Sequence, residues 1–263
     1  MKNYRLYGSR PYKVAVIHGG PGGAGGMAKV ASYLSKIGGV IEPLQTALSI
    51  KGQSLELQKT LLDHADLPLI LIGYSWGALL SLVVTAENPK LVQKLVLIGC
   101  PPLEDGYEKA IMEARMRRLS LEEREKFSEC IARFETAKGE RKHTLFKEIK
   151  SWIDRAEGKG RIIEPDDSDE DLQPDIFESI LPEVRRFRKE GYFINCAKQI
   201  SCPVVFFHGE LDPHPLEAVK SAASIINDSR VEVLKNCGHT PWIEKDVKEV
   251  FYKKLCEEMR RVT

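Results

Sequence analysis

At 263 residues, with 39 Lys and Arg against 38 Asp and Glu and 43% hydrophobic residues, the chain suits one large α/β domain and is too apolar to be disordered. A formal charge of +1 supplies no excess of cations for phosphate, which argues against nucleic acid as a partner. No apolar run approaches the roughly 20 residues of a membrane-spanning helix, and the first residues lack the apolar stretch of a secretory leader. A soluble, cytoplasmic protein with no membrane partner is expected. Six scattered cysteines with no C-x-x-C pair suggest neither a zinc site nor a disulfide framework.

Short apolar runs rich in β-branched residues predict strands at 14–17, 39–41, 69–72, 95–98, 204–207 and 231–234. The middle four are almost continuously apolar, as strands buried on both faces should be. Helical patterns lie between most of them, at 26–36, 53–64, 76–87 and 213–226, and a last helix is expected over about 241–260. This alternation reads as βαβ units, hence a mostly parallel sheet with helices on both faces.

The alternation stops between about 103 and 199. There Phe127, Cys130, Ile131 and Phe134 recur at helical spacing behind a capping-box pattern, Ser120 with Glu123. Leu145, Ile149 and Trp152 repeat the spacing, as do Ile176, Ile180, Val184 and Phe187, with a kink or restart expected at Pro182. The expected organisation is therefore a core of residues 1–103 and 199–263, interrupted by an all-helical block over 104–198. Within that block, the acidic stretch 164–171 reads as an exposed loop.

Three segments could carry chemistry. Gly73-Tyr74-Ser75-Trp76-Gly77 falls directly between a strand and a helix, where G-x-S-x-G makes a tight turn that pushes the serine hydroxyl outward. A serine that merely caps the helix would give the same pattern. Serine is a poor nucleophile at its ordinary pKa and needs a base, itself oriented by a third group. Asp212 follows the strand at 204–207 and His239 follows that at 231–234, so in a parallel sheet all three residues emerge at strand carboxyl ends. Glu210 and Asp228 are rival acids. Asp212 is preferred because it sits past the strand end, just before the next helix. His64, His143, His208 and His214 show no metal-ligand spacing and are assigned surface or packing roles.

The third segment is the loop His18-Gly19-Gly20-Pro21-Gly22-Gly23-Ala24-Gly25-Gly26. It can bring a backbone N–H to a developing negative charge, and acyl transfer needs a second such donor from the residue after the nucleophile, Trp76. The same loop also matches a dinucleotide fingerprint through Gly20, Gly22 and Gly25, with Glu42 near the end of the next strand. Against that reading, Pro21 removes a donor, and Ser75, Asp212 and His239 would be left unexplained.

With these residues assembled, the chain resembles the α/β-hydrolase superfamily over essentially its whole length. His18-Gly19-Gly20-Pro21-Gly22 together with Gly73-x-Ser75-Trp76-Gly77 looks like its proline iminopeptidase branch, where a helical cap is inserted after the sixth strand. The resemblance implies Ser75 as nucleophile, His239 as base, Asp212 as the orienting acid, and the N–H groups of Gly20 and Trp76 as an oxyanion hole, with no cofactor and no metal. The sequence differs from that branch where an Asp-Gln-Arg-Gly run is expected and Glu42-Pro43-Leu44-Gln45-Thr46 stands, and its short N-terminus leaves room for at most an abbreviated antiparallel hairpin. The expected activity is that of a serine hydrolase acting on a small peptide, as an aminopeptidase, or on a small ester, as a carboxylesterase. A ligand-binding protein with an idle triad is the alternative from another class.

Overall fold

The computed structural model describes residues 3–158 and 170–261. Seven strands form one sheet in the order β1-β4-β2-β5-β6-β8-β9: β1 (Tyr4–Tyr7), β4 (Gly39–Pro43), β2 (Tyr12–Ile17), β5 (Leu69–Tyr74), β6 (Val92–Ile98), β8 (Val204–Gly209) and β9 (Ser229–Leu234). All pairings are parallel except β1 with β4. The expected mostly parallel sheet is therefore present. The amino-terminal stretch is a single edge strand rather than a hairpin with β2, because both sides of β2 are already taken by β4 and β5.

The period-2 alternation of the strands sorts their side chains onto two faces. Ala15, Ile17, Leu69, Leu71, Leu95, Leu97, Val204 and Phe206 point into one apolar cluster, which is completed by α2 (Ile50–His64), α3 (Trp76–Glu87) and α9 (Leu216–Ile225). Val14, Val16, Ile70, Ile72, Val96, Ile98, Val205 and Phe207 point the other way, against α1 (Ala28–Leu34) and α10 (Lys248–Arg260). Residues alternating along one strand thus feed two separate cores, which is why the central strands carry no polar face. Among the described residues, no helix is long and apolar enough to cross a membrane.

Between β6 and β8 the chain forms α4 (Glu108–Met116), α5 (Leu121–Thr136), α6 (Gly139–Glu157), the short strand β7 (Asp171–Leu172), α7 (Pro174–Lys189) and α8 (Tyr192–Lys198). Helix α5 starts with the expected capping box of Ser120 and Glu123. Phe127, Phe134, Leu145, Phe146 and Ile149 gather with Leu172 in a cluster of their own. Ile176, Ile180 and Val184 of α7 and Phe193 of α8 belong instead to the cluster built around α3. Helix α7 is one continuous element through Pro182, so it does not restart there: the missing N–H removes one rung, and the buried stripe on either side holds the helix across the gap.

Three further departures bear on the site. Helix α10 begins at Lys248 rather than near 241, because 240–247 is a series of turns in which Trp242 is buried and Glu244 accepts a hydrogen bond from the Gly238 amide at 2.8 Å. Gly23–Ala24 of the glycine-rich loop forms a strand, β3, paired antiparallel with β7. Of the acidic stretch 164–171, residues 164–169 lie outside the described residues, while Glu170 pairs with Lys150 at 3.2 Å and Asp171 opens β7. All six cysteines are free.

Leu97 is fully buried at the centre of the sheet. Leu97→Ala is expected to lower stability by about 3 kcal/mol in urea unfolding, the transfer and cavity cost of removing such a side chain.

Candidate active site

The turn at Ser75 is built by its neighbours. A side chain on Gly73 would lie 2.3 Å from the carbonyl oxygen of Gly77, and one on Gly77 would lie 2.4 Å from that of Ile17, so only glycine lets strand and helix meet this closely. Between them Ser75 takes φ 51° and ψ −116°, a conformation costly for a non-glycine residue and held by the packing around it. Its amide donates to the carbonyl of Ile98 at 2.9 Å, keeping it in register with β6. Its hydroxyl does not cap α3. The helix-capping explanation of the motif is thereby removed, and among the described residues the hydroxyl, on a strained turn, has no hydrogen-bond partner.

The glycine-rich loop lies directly against this turn: at Gly19 a side chain would meet the Tyr74 ring at 2.5 Å and the Ser75 Cβ at 3.2 Å. The Gly20 amide has no partner among the described residues, and Trp76, as the first residue of α3, carries one of the helix's unpaired amino-terminal donors. The indole of Trp76 is fixed by donating to Gln53 Oε1 at 3.0 Å, and Gln53 is held in turn by the carbonyl of Ala47 at 2.9 Å. Glu42, the acid that the dinucleotide reading requires, is fully buried and committed elsewhere. It accepts from the Tyr7 hydroxyl at 2.7 Å and the Met27 amide at 3.1 Å, so it is not free for a ribose.

Asp212 and His239 meet across the ends of β8 and β9. The His239 Nδ1–H donates to Asp212 Oδ2 at 2.6 Å, and because the partner is a carboxylate the proton sits on Nδ1. The second carboxylate oxygen is used as fully: Oδ1 accepts from the His214 amide at 2.8 Å and from its Nδ1–H at 2.7 Å. His208 donates from Nε2 to the His214 carbonyl at 3.0 Å. The rival acid Glu210 is instead bound to the Asn236 amide at 2.9 Å, and Asp228 contributes its backbone carbonyl to Val204 at 2.8 Å. The His239 ring lies 5.1 Å from that of Tyr74, whose hydroxyl is 2.7 Å from that of Thr240, so the residue before the serine packs on the histidine loop. Among the described residues, no hydrogen bond joins the Ser75 hydroxyl to the imidazole.

What faces His239 Nε2 is Glu157, the last residue of α6, with Oε2 at 4.0 Å. The Glu157 carbonyl also accepts from the His239 amide at 3.3 Å. Arg115 of α4 grips Oε1 through Nε at 2.9 Å and through Nη2, and Arg118 donates to the Ala156 carbonyl at 2.8 Å and to the carbonyl of Leu211. Two helices of the inserted block thus dock on the segments that carry Asp212 and His239. Glu157, His214 and His239, all buried, also each offer a donor atom within 4.8 Å of the others, a group able to hold a metal ion.

The electrostatics follow from this packing. Burial would raise Asp212, but His239 and His214 beside it hold its carboxyl well below the usual range. Burial would lower His239, yet Asp212 and Glu157 outweigh it and push the imidazole up to about 9. His214 goes the other way, lowered because burial exceeds the pull of Asp212. Burial would raise Glu157, and Arg115 and the two histidines reverse that. Glu157, Arg115 and the inward role of His214 escaped the sequence. His214 carried a signal, standing two residues after Asp212 in His208-Gly-Glu-Leu-Asp212-Pro-His214, whereas nothing local marks Glu157 among the many glutamates of the block.

The α/β-hydrolase fold model matches residues 54–246, well over half of the chain, in keeping with this fold. The chain belongs to the α/β-hydrolase family, a family of hydrolases. By sequence, no curated protein matches it. Among solved structures it is similar to VinJ, with a TM-score of 0.73 at 21% identity over 99% of this chain and 95% of that one. It is also similar to MenH from S. aureus (0.67, 16% identity, 100% and 99% covered) and to the Paleococcus ferrophilus monoacylglycerol lipase (0.62, 14% identity, 99% and 98% covered). At these identities the likeness is one of fold.

Gln53→Leu leaves the buried indole N–H of Trp76 without an acceptor. A loss of about 1–3 kcal/mol in denaturant unfolding is expected, the cost of an unsatisfied buried donor.

Proposed function

We propose that the protein is a serine hydrolase that works through an acyl-enzyme, with Ser75 as nucleophile, His239 as general base and Asp212 as the group that orients it. The observation that carries this reading is the 2.6 Å bond from His239 Nδ1 to a fully buried carboxylate; the Ser75 hydroxyl, which does not cap its own helix, is consistent with it. As Oγ attacks the substrate carbonyl, its proton passes to Nε2, and the carbonyl electrons move onto oxygen. That oxyanion is received by the N–H groups of Gly20 and Trp76. Collapse expels the leaving group, which takes the proton from His239. Water then loses a proton to the same nitrogen, attacks the acyl-serine, and regenerates the Ser75 hydroxyl. Asp212 keeps the proton on Nδ1, so that Nε2 offers its lone pair once the imidazole, raised to about 9, has given up its second proton, and stabilises the imidazolium formed in between.

Helices α4–α6 with β7 act in this reading as a cap that excludes water above Ser75, and the contact of Glu157 with the His239 loop supports it. For the substrate, an ester is favoured over a peptide with a free amino end. A proline iminopeptidase-like site needs a carboxylate facing the substrate's amine, and the one oxygen of Glu157 that Arg115 does not hold, Oε2, faces His239 Nε2 instead. The likeness of fold to a monoacylglycerol lipase points in the same direction. The aminopeptidase reading keeps the support of the His18–Gly22 loop.

Three outcomes are expected. Ser75→Ala loses fluorophosphonate labelling and drops kcat by about 10⁶, while folded wild-type protein that never labels would mark a binding protein instead. Asp212→Asn keeps the fold and lowers kcat about 10⁴-fold, through loss of the productive tautomer. p-Nitrophenyl butyrate is turned over faster than proline p-nitroanilide; the reverse order would return the aminopeptidase reading to first place.

A further inference from the structure

The triad reading gives no work to His214, yet its imidazole is buried and bound to the same carboxylate as that of His239. Two rings share one acceptor: His239 donates Nδ1–H to Oδ2, His214 donates Nδ1–H to Oδ1, and the ring centroids lie 4.6 Å apart at 32°. With both Nδ1 atoms carrying protons for Asp212, Nε2 is the nitrogen each ring has left to offer. A carboxylate behind an imidazole Nδ1–H is the support that metal-ligating histidines ordinarily have, because it fixes the ring and makes the far nitrogen a better donor. Glu157 completes the group. Arg115 holds its Oε1, and Oε2 faces His239 Nε2 at 4.0 Å.

We propose that His214, His239 and Glu157 form a binding site for a divalent transition-metal ion of the zinc type, and that an ion held there switches the hydrolase off. Two imidazole nitrogens and one carboxylate oxygen form a donor set that zinc, copper and nickel accept, whereas magnesium and calcium ask for oxygen. One donor from each residue lies within 4.8 Å of the others, and all three residues are buried, so the ion would keep few waters. Bonds of about 2.0–2.2 Å require the donors to close by roughly 1 Å, which the Glu157 side chain can supply by turning toward the rings. The ion would take the lone pair on His239 Nε2 that must receive the serine proton, so metal binding and hydrolysis exclude each other. This inhibitory half rests on the triad reading; the binding half does not.

The two halves separate in one experiment. Zinc chloride is titrated calorimetrically, in chelator-free buffer, into Ser75→Ala protein, which keeps every donor but has no nucleophile. One ion per chain is expected, with a rise in melting temperature, and binding at least roughly ten-fold weaker in Glu157→Gln and in His214→Asn. Magnesium should have no effect. No binding to the Ser75→Ala protein, or equal affinity in both donor variants, overturns the site. In wild-type protein, zinc should suppress fluorophosphonate labelling and a chelator should restore it. Labelling that proceeds unchanged with the ion bound overturns the inhibition. If binding depends on Glu157 and His214 while wild-type protein never labels, the metal site stands and the serine-hydrolase reading falls.

Discussion

A carboxylate kept charged inside a protein must be surrounded by donors, and Asp212 is the point where this requirement organises the structure. It lies out of reach of water, and each of its oxygens is met by donors: the His239 ring on one, the His214 ring and amide on the other. An isolated charge so buried would be costly by many kcal/mol, so the two imidazoles are as necessary to Asp212 as it is to them. The mutual dependence fixes both ring tautomers. It also ties the loop after β8 to the loop after β9.

The parallel sheet makes that meeting possible. Strands β5, β8 and β9 all run in one direction, so the segments following them rise on the same side, although β5 is separated from the other two by more than a hundred residues of chain. The two cores that flank the sheet are fed by alternate residues of the same strands, so the strand ends are held from both faces. The inserted helices then lean on the upper side. Helices α4–α6 meet the segments of Asp212 and His239 through the Glu157 carbonyl and Arg118, a polar union in contrast to the apolar cluster that holds those helices together.

Much of this was legible before any coordinates. The strands were betrayed by continuous runs such as Leu69–Ile72, because burial on both faces leaves no room for polar residues, and the turn at Ser75 by its place between such a run and an apolar helix. Asp212 was separable from Glu210 and Asp228 by its position just past a strand end. What stayed hidden depends on distance in the chain. Glu157 and Arg115 act on His239 through helix packing that no local pattern encodes. His214 looked like a packing residue because its partner is two positions away through a proline rather than at a helical spacing. The pairing of β3 with β7 involves only two residues on each side and leaves no periodicity to read. At Pro182 the expected restart is not found, because burial of Ile180 and Val184 keeps the helix continuous against the local preference.

That small pairing has a consequence for how the site could be altered. Gly22 and Gly23 are joined to Leu172 and Gln173 through the backbone, including a 2.7 Å bond from the Gln173 amide to the Gly22 carbonyl. Main-chain ties are indifferent to side-chain identity. The exposed Asp171 can be exchanged without loosening those ties. In the proposed reading, the Gly20 N–H would then keep its bearing on the reacting carbonyl whatever side chain stands at 171.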